Sequence, residues 1–451
     1  MNIKRTLSIR FRGTPDTISN SDLRPPKVSI RKRIAIYGIN YAPEIAGVGR
    51  YTGEIGDHLA QLGHQIFVVT APPHYPGWKL GDGYTTYAWT REKLRGVDIY
   101  RCPLYLHRDM KGFRRLLAPF TFALSSAAVA FFEILRRRPH VVIAVEPTLF
   151  VAPVALLASK IVGAKSVLHV QDLEIDAAFA VGHLGKGGIA AKVAERFEKF
   201  VVRRFDQVIT ISNRMADKLL AKGVSADHLT VVRNWVDVEQ IKPQLTSITY
   251  REELGLKRSD FVVLYSGNLG AKQGMGLLLD AARELAPHTN VVFVIAGQGP
   301  MRRDLECAAE TMSNIRVFDF QPEHRFCDFL SVADVHILPQ ERQAADLLLP
   351  SKLGGMLASG RRVIVTADEG TELADFLGAS CVLSPPGDSG ALAAAVLTAM
   401  REEPCPHQEK QRLELANGLS KQTNIEIFTR AALFSHADAQ SLKPAQHTAQ
   451  N

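Results

Sequence analysis

Cysteine is scarce in this chain of 451 residues: there are five, scattered at Cys102, Cys307, Cys327, Cys381 and Cys405. None belongs to a Cys-x-x-Cys pair. That argues against a structural zinc site and a disulfide scaffold, and fits reduced thiols in a cytosolic protein. No convincing Asp-x-Asp metal motif is present. The acidic run Asp172-Leu-Glu174-Ile-Asp176 reads better as the first turn of a segment after a strand. No Lys/Arg tract is interleaved with aromatics as a nucleic-acid groove would be, so nucleic acid is not expected as a partner. The N-terminus lacks the apolar core of a signal peptide. Residues 1–30 are polar, basic and proline-containing, and are expected to be a disordered extension. Residues 435–451 are expected to be a disordered tail.

What is present is a chain too long for one ordinary core, which predicts two or three domains. The formal net charge is +8. A basic balance suits an anionic membrane face or phosphorylated substrates as well as nucleic acid, and does not choose among them.

Order is expected from Arg31. Arg33 to Gly38 is a buried-type strand, followed by Asn40-Tyr-Ala-Pro-Glu44 and the spacing Gly47-x-Gly49. A helix then carries Ile55 and Leu59 on one face and ends at Gly63, and Ile66 to Thr70 is the next strand. This β–Gly-rich loop–α–β opening is the first unit of a doubly wound sheet. The third glycine of a dinucleotide fingerprint is missing, and a tight turn explains the spacing alone, although glycines also let backbone approach a ligand.

Ala71 to Asp98 reads as a long polar and aromatic loop. Tyr75 and Trp78, with His74, Tyr84 and Trp89, are candidates to hold a sugar or a lipid-linked acceptor; packing of the loop onto its domain explains each of them equally well. Leu116 to Leu135 is the most apolar stretch, flanked by Arg114-Arg115 and Arg136 to Arg138. Its length would just span a bilayer. Pro119, Ser125-Ser126, Glu133 and the strand that follows at Val141 favour instead a partly exposed helix of the fold, with basic ends that could rest on anionic lipid. An ordinary buried helix fits the same pattern.

Strands recur at Val167 to Asp172, Phe205 to Ser212 and Leu229 to Val232. A domain boundary is expected at 235–258. A second β/α series runs from Phe261 to about Val382, with turns at Gly267 and at Gly297-Gln-Gly299-Pro300. Two such domains, 31–235 and 236–434 with closing helices, imply a cleft between them, where ligands bind. His169 and Asp172 lie at a strand's carboxyl end, where open α/β sheets place ligands. His169 is also what a satisfied strand-end histidine would look like.

The stretch Ala333 to Thr366 reads as strand, loop, helix, strand. Pro350-Ser351 looks like a helix start, with Ser351 able to cap the first turn and Lys352 inside it. A cation is poorly placed there unless an anion joins it. A tolerated surface lysine is the plain alternative.

Taken together, Asn40 to Glu44 with Gly47-x-Gly49, His169-Val-Gln-Asp172, Asn234-Trp-Val-Asp237, Gly267-Asn-Leu-Gly270, Gly297-Gln-Gly299-Pro300 and Leu349-Pro-Ser-Lys352 resemble the retaining glycosyltransferases of family 4. The resemblance runs from about Arg33 to about Leu433. It implies an α/β chain of GT-B fold, two facing Rossmann-like domains around a cleft. The loop after Thr70 and the run Ala344 to Gly360 narrow the likeness to the colanic acid biosynthesis fucosyltransferase group.

The resemblance implies a nucleotide-diphosphate sugar donor on the C-terminal domain, GDP-fucose for that group, with no cofactor and no metal. It implies a polyprenyl-diphosphate-linked saccharide acceptor near Tyr75, Trp78 and Asp172, and work on the cytoplasmic face of the plasma membrane. The donor would be held by Gly47, Gly49, Asn268, Lys272, Gly297, Gly299, Pro350, Ser351 and Lys352. Of the two family glutamates, the first falls on Leu347, beside Asp346, and the second on Gly355. Asp346 is therefore the candidate for the donor sugar, with Lys352 and His169 as the other catalytic candidates. The family's usual Arg and Lys after the Gly267 strand fall on Asn268 and Gln273, with Lys272 adjacent. A sugar-nucleotide epimerase of the same fold and a catalytically silent scaffold in polysaccharide assembly remain as alternatives.

Overall fold

The computed structural model describes residues 31–75, 77–107, 114–173, 188–341 and 349–434. The expected extension at 1–30 and tail at 435–451, and with them Glu174, Asp176, Asp346 and Leu347, lie outside the described residues.

Two sheets carry the chain. The first holds eight strands: β1 (Arg33–Tyr37), β2 (Gln65–Thr70), β3 (Thr90–Leu94), β4 (Val97–Arg101), β5 (Val141–Glu146), β6 (Lys165–Val170), β7 (Gln207–Thr210) and β8 (Leu229–Val231). Their order is β3-β4-β2-β1-β5-β6-β7-β8. The second holds β9 (Phe261–Ser266), β10 (Val291–Ala296), β11 (Ile315–Phe318), β12 (Val335–Leu338), β13 (Arg362–Thr366) and β14 (Val382–Ser384), in the order β11-β10-β9-β12-β13-β14. Every pairing is parallel except β3 with β4. Strands such as Val-Val-Ile-Ala-Val-Glu of β5 are buried at every position, as a parallel sheet covered on both faces requires. Four apolar clusters result, one on each face of each sheet. This is the expected pair of Rossmann-like domains.

In both sheets the strand order reverses at the middle. β1 lies between β2 and β5, and β9 between β10 and β12. The loops leaving β1, β9 and β12 therefore open at switch points, where the connections diverge and leave a crevice.

Three readings of the elements need correction, and that of His169 follows with the site. The stretch Ala71 to Asp98 is not all loop, because Thr90–Leu94 pairs antiparallel with Val97–Arg101 as an edge hairpin. Its strand β3, Thr-Arg-Glu-Lys-Leu, buries none of its residues, so it carries no apolar alternation to read. The expected unit 236–434 is not self-contained either. The closing helix Lys421–Leu433 packs Ile425, Phe428, Ala432 and Leu433 into the core of the first sheet. The chain thus crosses between the sheets twice, and the crossings pair: Val236 N–H donates to Leu419 O at 2.9 Å and Lys421 N–H to Val236 O at 2.8 Å. The third correction concerns Ser351 and Lys352 and is taken up with the site.

The long helix Arg114–Arg137 is apolar enough to cross a membrane by composition. One face, however, belongs to the first core. Ala118, Phe122, Ser126, Ala130 and Ile134 recur every four residues and are buried, and Ser126 Oγ lies 2.8 Å from the Tyr37 phenol. The opposite face leaves Phe120, Leu124 and Phe132 exposed.

Candidate active site

The first wall is the loop after β1. Gly47 has φ +63°, and a Cβ there would lie 2.7 Å from the Tyr75 ring. A Cβ on Gly49 would come within 2.1 Å of a Glu44 carboxylate oxygen. Both glycines are thus needed for close packing. Glu44 is buried, and its carboxylate accepts from the backbone N–H of His74 at 3.1 Å and Tyr75 at 3.0 Å and from Asn40 Nδ2 at 3.0 Å. Burial pushes its pKa up, while His74 and these donors oppose the rise. A second anchor is Arg101. Fully buried, it donates to Ala71 O at 3.0 Å and Ala42 O at 2.6 Å, and pairs with Glu92 at 2.6 Å. The aromatic loop is therefore knitted onto the first loop, and that fixes Tyr75 at the wall. Trp78 packs 5.6 Å from the His74 ring and against the core, the packing reading of that residue.

The second wall is built from the loops after β9, β10 and β12. Gly267 and Gly297 have φ +153° and +150°, and a Cβ on Gly297 would fall 1.8 Å from Gly267 O. Only glycine permits this backbone-on-backbone approach. Leu269 N–H donates to Gln298 O at 2.9 Å, and Gly299 abuts the Asn268 side chain. Asn268 Oδ1 is buried without a hydrogen-bond partner among the described residues. Lys272 lies in the short turn Ala271–Gln273, where its carbonyl accepts from Glu341 N–H at 3.2 Å.

Lys352 is placed differently from the sequence expectation. The helix begins at Leu353 and runs six residues to Ala358. Lys352 occupies its N-cap position, not its first turn, and no side chain caps it. Ser351 is exposed and lies near the Tyr51 phenol of the first domain, which itself donates to Trp235 O at 3.5 Å. Pro350 O accepts from Leu353 N–H at 2.9 Å, so a turn takes the place of the expected cap. From this position Lys352 reaches back over Gly267, where a Cβ would stand 3.1 Å from Nζ. Its ammonium donates to the Tyr265 phenol, which in turn donates to Asn268 O at 2.7 Å. Nζ also lies 4.2 Å from the Tyr265 ring centre. Among the described residues no carboxylate pairs with it. Loss of water pushes its pKa down from 10.5 to about 7. Burial pushes the pKa of the Tyr265 phenol far up, and Tyr75, from the opposite wall, adds to the rise. Gly47, Tyr75, Gly267, Asn268 and Lys352 are thus brought to one cleft between the sheets.

His169 is not. Its ring is buried on β6, 4.8 Å from the Phe428 ring of the closing helix, with Nε2 3.2 Å from the Gln171 amide nitrogen. Burial lowers its pKa to about 3, so it is neutral at every ordinary pH. It is a core histidine covered by a helix that crosses back from the other domain, and that crossing is not visible in the local sequence. Asp172 is half-buried just beyond β6. Two residues of the site escaped the sequence reading. Tyr265 looked like one more apolar strand residue, yet its place two positions before Gly267 is what puts its hydroxyl at the strand end. In the sequence Glu44 is only one member of a motif, and the structure makes it the clamp between two loops.

Residues 46–235 match the Glycosyl transferase 4-like domain family and residues 260–402 the Glycosyl transferases group 1 family. The chain belongs to the family 4 glycosyltransferases. It is 39% identical over 350 residues, 76% of this chain and 84% of the other, to WcaI of Escherichia coli K12, a candidate colanic acid biosynthesis glycosyl transferase. Among solved structures it is similar to sucrose-phosphate synthase of Thermosynechococcus elongatus, with TM-score 0.67, 14% identity and coverage of 92% of this chain and 100% of that one. It is also similar to Anabaena HepE in complex with UDP and glucose, with TM-score 0.62, 15% identity and coverage of 92% and 100%. These two likenesses establish the GT-B fold. For this glycosyltransferase the arrangement supplies a half-buried cation, without a counter-charge among the described residues, beside glycine-lined backbone. That combination suits a polyanion that brings its own negative charge.

Proposed function

We propose that this enzyme transfers a sugar, with retention, from a nucleotide-diphosphate donor to a lipid-linked saccharide in exopolysaccharide synthesis, at the cytoplasmic face of the membrane. The observation that carries the reading is Lys352, half-buried, without a carboxylate partner among the described residues, and aimed across Gly267. As the bond from the sugar's anomeric carbon to the diphosphate breaks, charge grows on the leaving oxygens, and a fixed ammonium in a water-poor site stabilises that charge most. In the front-face step proposed, the acceptor hydroxyl forms the new bond on the face the diphosphate leaves, and its proton passes to a diphosphate oxygen. Asp346 is proposed to hold the donor sugar and Lys272 to add to the phosphate field. The likeness to WcaI supports an exopolysaccharide product, with fucose from GDP-fucose as the sugar proposed. Because basic groups and amides neutralise the diphosphate in this reading, turnover is expected to survive EDTA.

The test is incubation of the purified protein with radiolabelled GDP-fucose and polyprenyl-diphosphate-linked acceptor, with the anomeric configuration of the product read by NMR. Label in the lipid fraction with the donor's configuration supports the proposal. Inverted product, an epimerised nucleotide sugar or no reaction overturns it, and the last two would favour the epimerase or the scaffold.

A further inference from the structure

A second cluster of cations lies in the C-terminal domain, away from the cleft. Arg361 and Arg362 lead into the amino end of β13, and Arg412 belongs to the helix Pro406–Gly418. With Asp334, Pro404 and Glu409 they line a pocket of about 190 Å³. Lys352 stands at the start of the helix Leu353–Ala358, and this pocket is beyond its other end, at Ser359 and Gly360.

The charges in the pocket are not matched. Arg361 donates to Gln244 O at 3.0 Å, Thr246 Oγ1 at 2.9 Å and Ser331 O at 3.1 Å. Arg362 donates to Glu402 O at 2.8 Å. Arg412, 1% exposed, donates to Ser380 O at 2.9 Å and Gly360 O at 3.0 Å. All of these acceptors are neutral, and among the described residues none of the three arginines forms an ion pair. The Nε atoms of Arg362 and Arg412 are buried with no hydrogen-bond partner among the described residues. Of the two carboxylates, Asp334 is already engaged, by Arg251 at 2.8 Å and Val262 N–H at 2.7 Å. Glu409 is the other carboxylate of the lining, and Glu402 and Glu403 act on Arg362 from nearby without an ion pair to it among the described residues. Burial pushes all three arginines below their ordinary range, and burial first, then Arg361 and Arg412, lowers the pKa of the His336 ring nearby. A buried guanidinium is destabilising until an anion meets it, and its forked donors match a tetrahedral oxyanion. The pocket has room for such an ion and its waters.

We propose that this pocket is a binding site for a small tetrahedral oxyanion, inorganic phosphate, separate from the donor cleft. The test is thermal shift and calorimetric titration with inorganic phosphate in an amine buffer, against sodium chloride at matched ionic strength. Saturable stabilisation beyond that of chloride is expected. Arg362→Gln, a half-buried position, should weaken binding at least tenfold. Glu409→Gln, which removes the opposing charge, should tighten it several-fold, and this variant keeps the test open if the arginine variant folds poorly. Lys352→Ala should leave phosphate binding unchanged. No saturable effect, or equal affinity in all variants, overturns the proposal. Loss of binding in Lys352→Ala overturns it too, because phosphate would then be occupying the cleft.

Discussion

A single ammonium carries most of the expected catalytic effect. Lys352→Ala removes a charge-assisted contact to phosphate, worth about 1.5–3 kcal/mol. That corresponds to roughly 10- to 150-fold in kcat/KM, and the free nucleotide diphosphate should bind more weakly by a similar factor in calorimetry. Normal nucleotide binding in the variant would end the phosphate role. The pH dependence has a definite sign. In the free enzyme Lys352 titrates at about 7, and a bound diphosphate raises that value toward the ordinary range near 10.4. Between these limits binding takes up a proton, so affinity should fall as pH rises above 7, by up to about tenfold per unit. Titrations at pH 8 in buffers of different ionisation enthalpy measure the uptake directly. Lys352→Arg, charged throughout, should abolish the slope, and a slope that persists would assign it to another group. This lysine was legible because a cation beside an expected helix start is out of place without an anion. Its partner Tyr265 was not legible, since a phenol in a strand reads as core until the neighbouring loops are in place.

Short elements from one domain complete elements of the other, and these are the contacts a sequence conceals. Glu372, on the helix Glu372–Leu377 of the second domain, is buried. Its carboxylate accepts from Asn213 N–H at 3.0 Å and Arg214 N–H at 2.8 Å, the first amides of the helix Asn213–Ala221. Arg233 donates to it at 3.2 Å, and Arg214 donates to Gly370 O at 2.6 Å. A carboxylate at a helix start satisfies orphan amides and complements the dipole. Ser212 caps the helix from within by accepting from Met215 N–H at 3.1 Å, and Glu372 takes the two preceding amides from across the cleft, about 160 residues further along the chain by the separation of the bonded pairs. Glu372→Ala should release these amides. A charged contact of about 1.5–3 kcal/mol predicts roughly 10- to 150-fold faster hydrogen exchange at Asn213 and Arg214. Unchanged exchange would show that the helix caps itself. The strands were readable from their apolar runs, whereas edge strand β3, the covering of His169 by Phe428 and this cap all depend on partners remote in sequence.

Over the whole molecule, the first domain presents one apolar face that the other described residues do not cover. Phe120, Leu124 and Phe132 are exposed on the long helix, Leu157 and Ile161 on the helix Ala152–Val162, and Val193 and Phe200 on the helix Ile189–Val202. The Phe120 and Phe150 rings meet at 6.0 Å and those of Phe150 and Phe197 at 6.3 Å, so the three helices form a continuous surface. Large apolar patches of this kind are uncommon on soluble monomers. Exposed Arg136, Arg138, Lys160, Lys192, Lys199 and Arg203 lie along the same helices and their ends. This pattern of rings among cations supports the proposed seating on an anionic leaflet, and it argues against a span, because the inner face of the long helix is held in the core. Each cation near such a surface contributes about 1 kcal/mol, and salt weakens it. The protein should therefore pellet with vesicles containing phosphatidylglycerol at low salt, bind weakly to neutral phosphatidylcholine vesicles, and be released at high salt or in alkaline carbonate. Leu124→Glu with Phe132→Glu should cut binding at low salt by at least tenfold and leave binding of the nucleotide diphosphate unchanged, since neither residue touches the cleft. Retention of the wild-type protein through both salt and carbonate would instead mean that the long helix leaves the core and inserts, and binding undiminished in the double variant would place the membrane contact elsewhere.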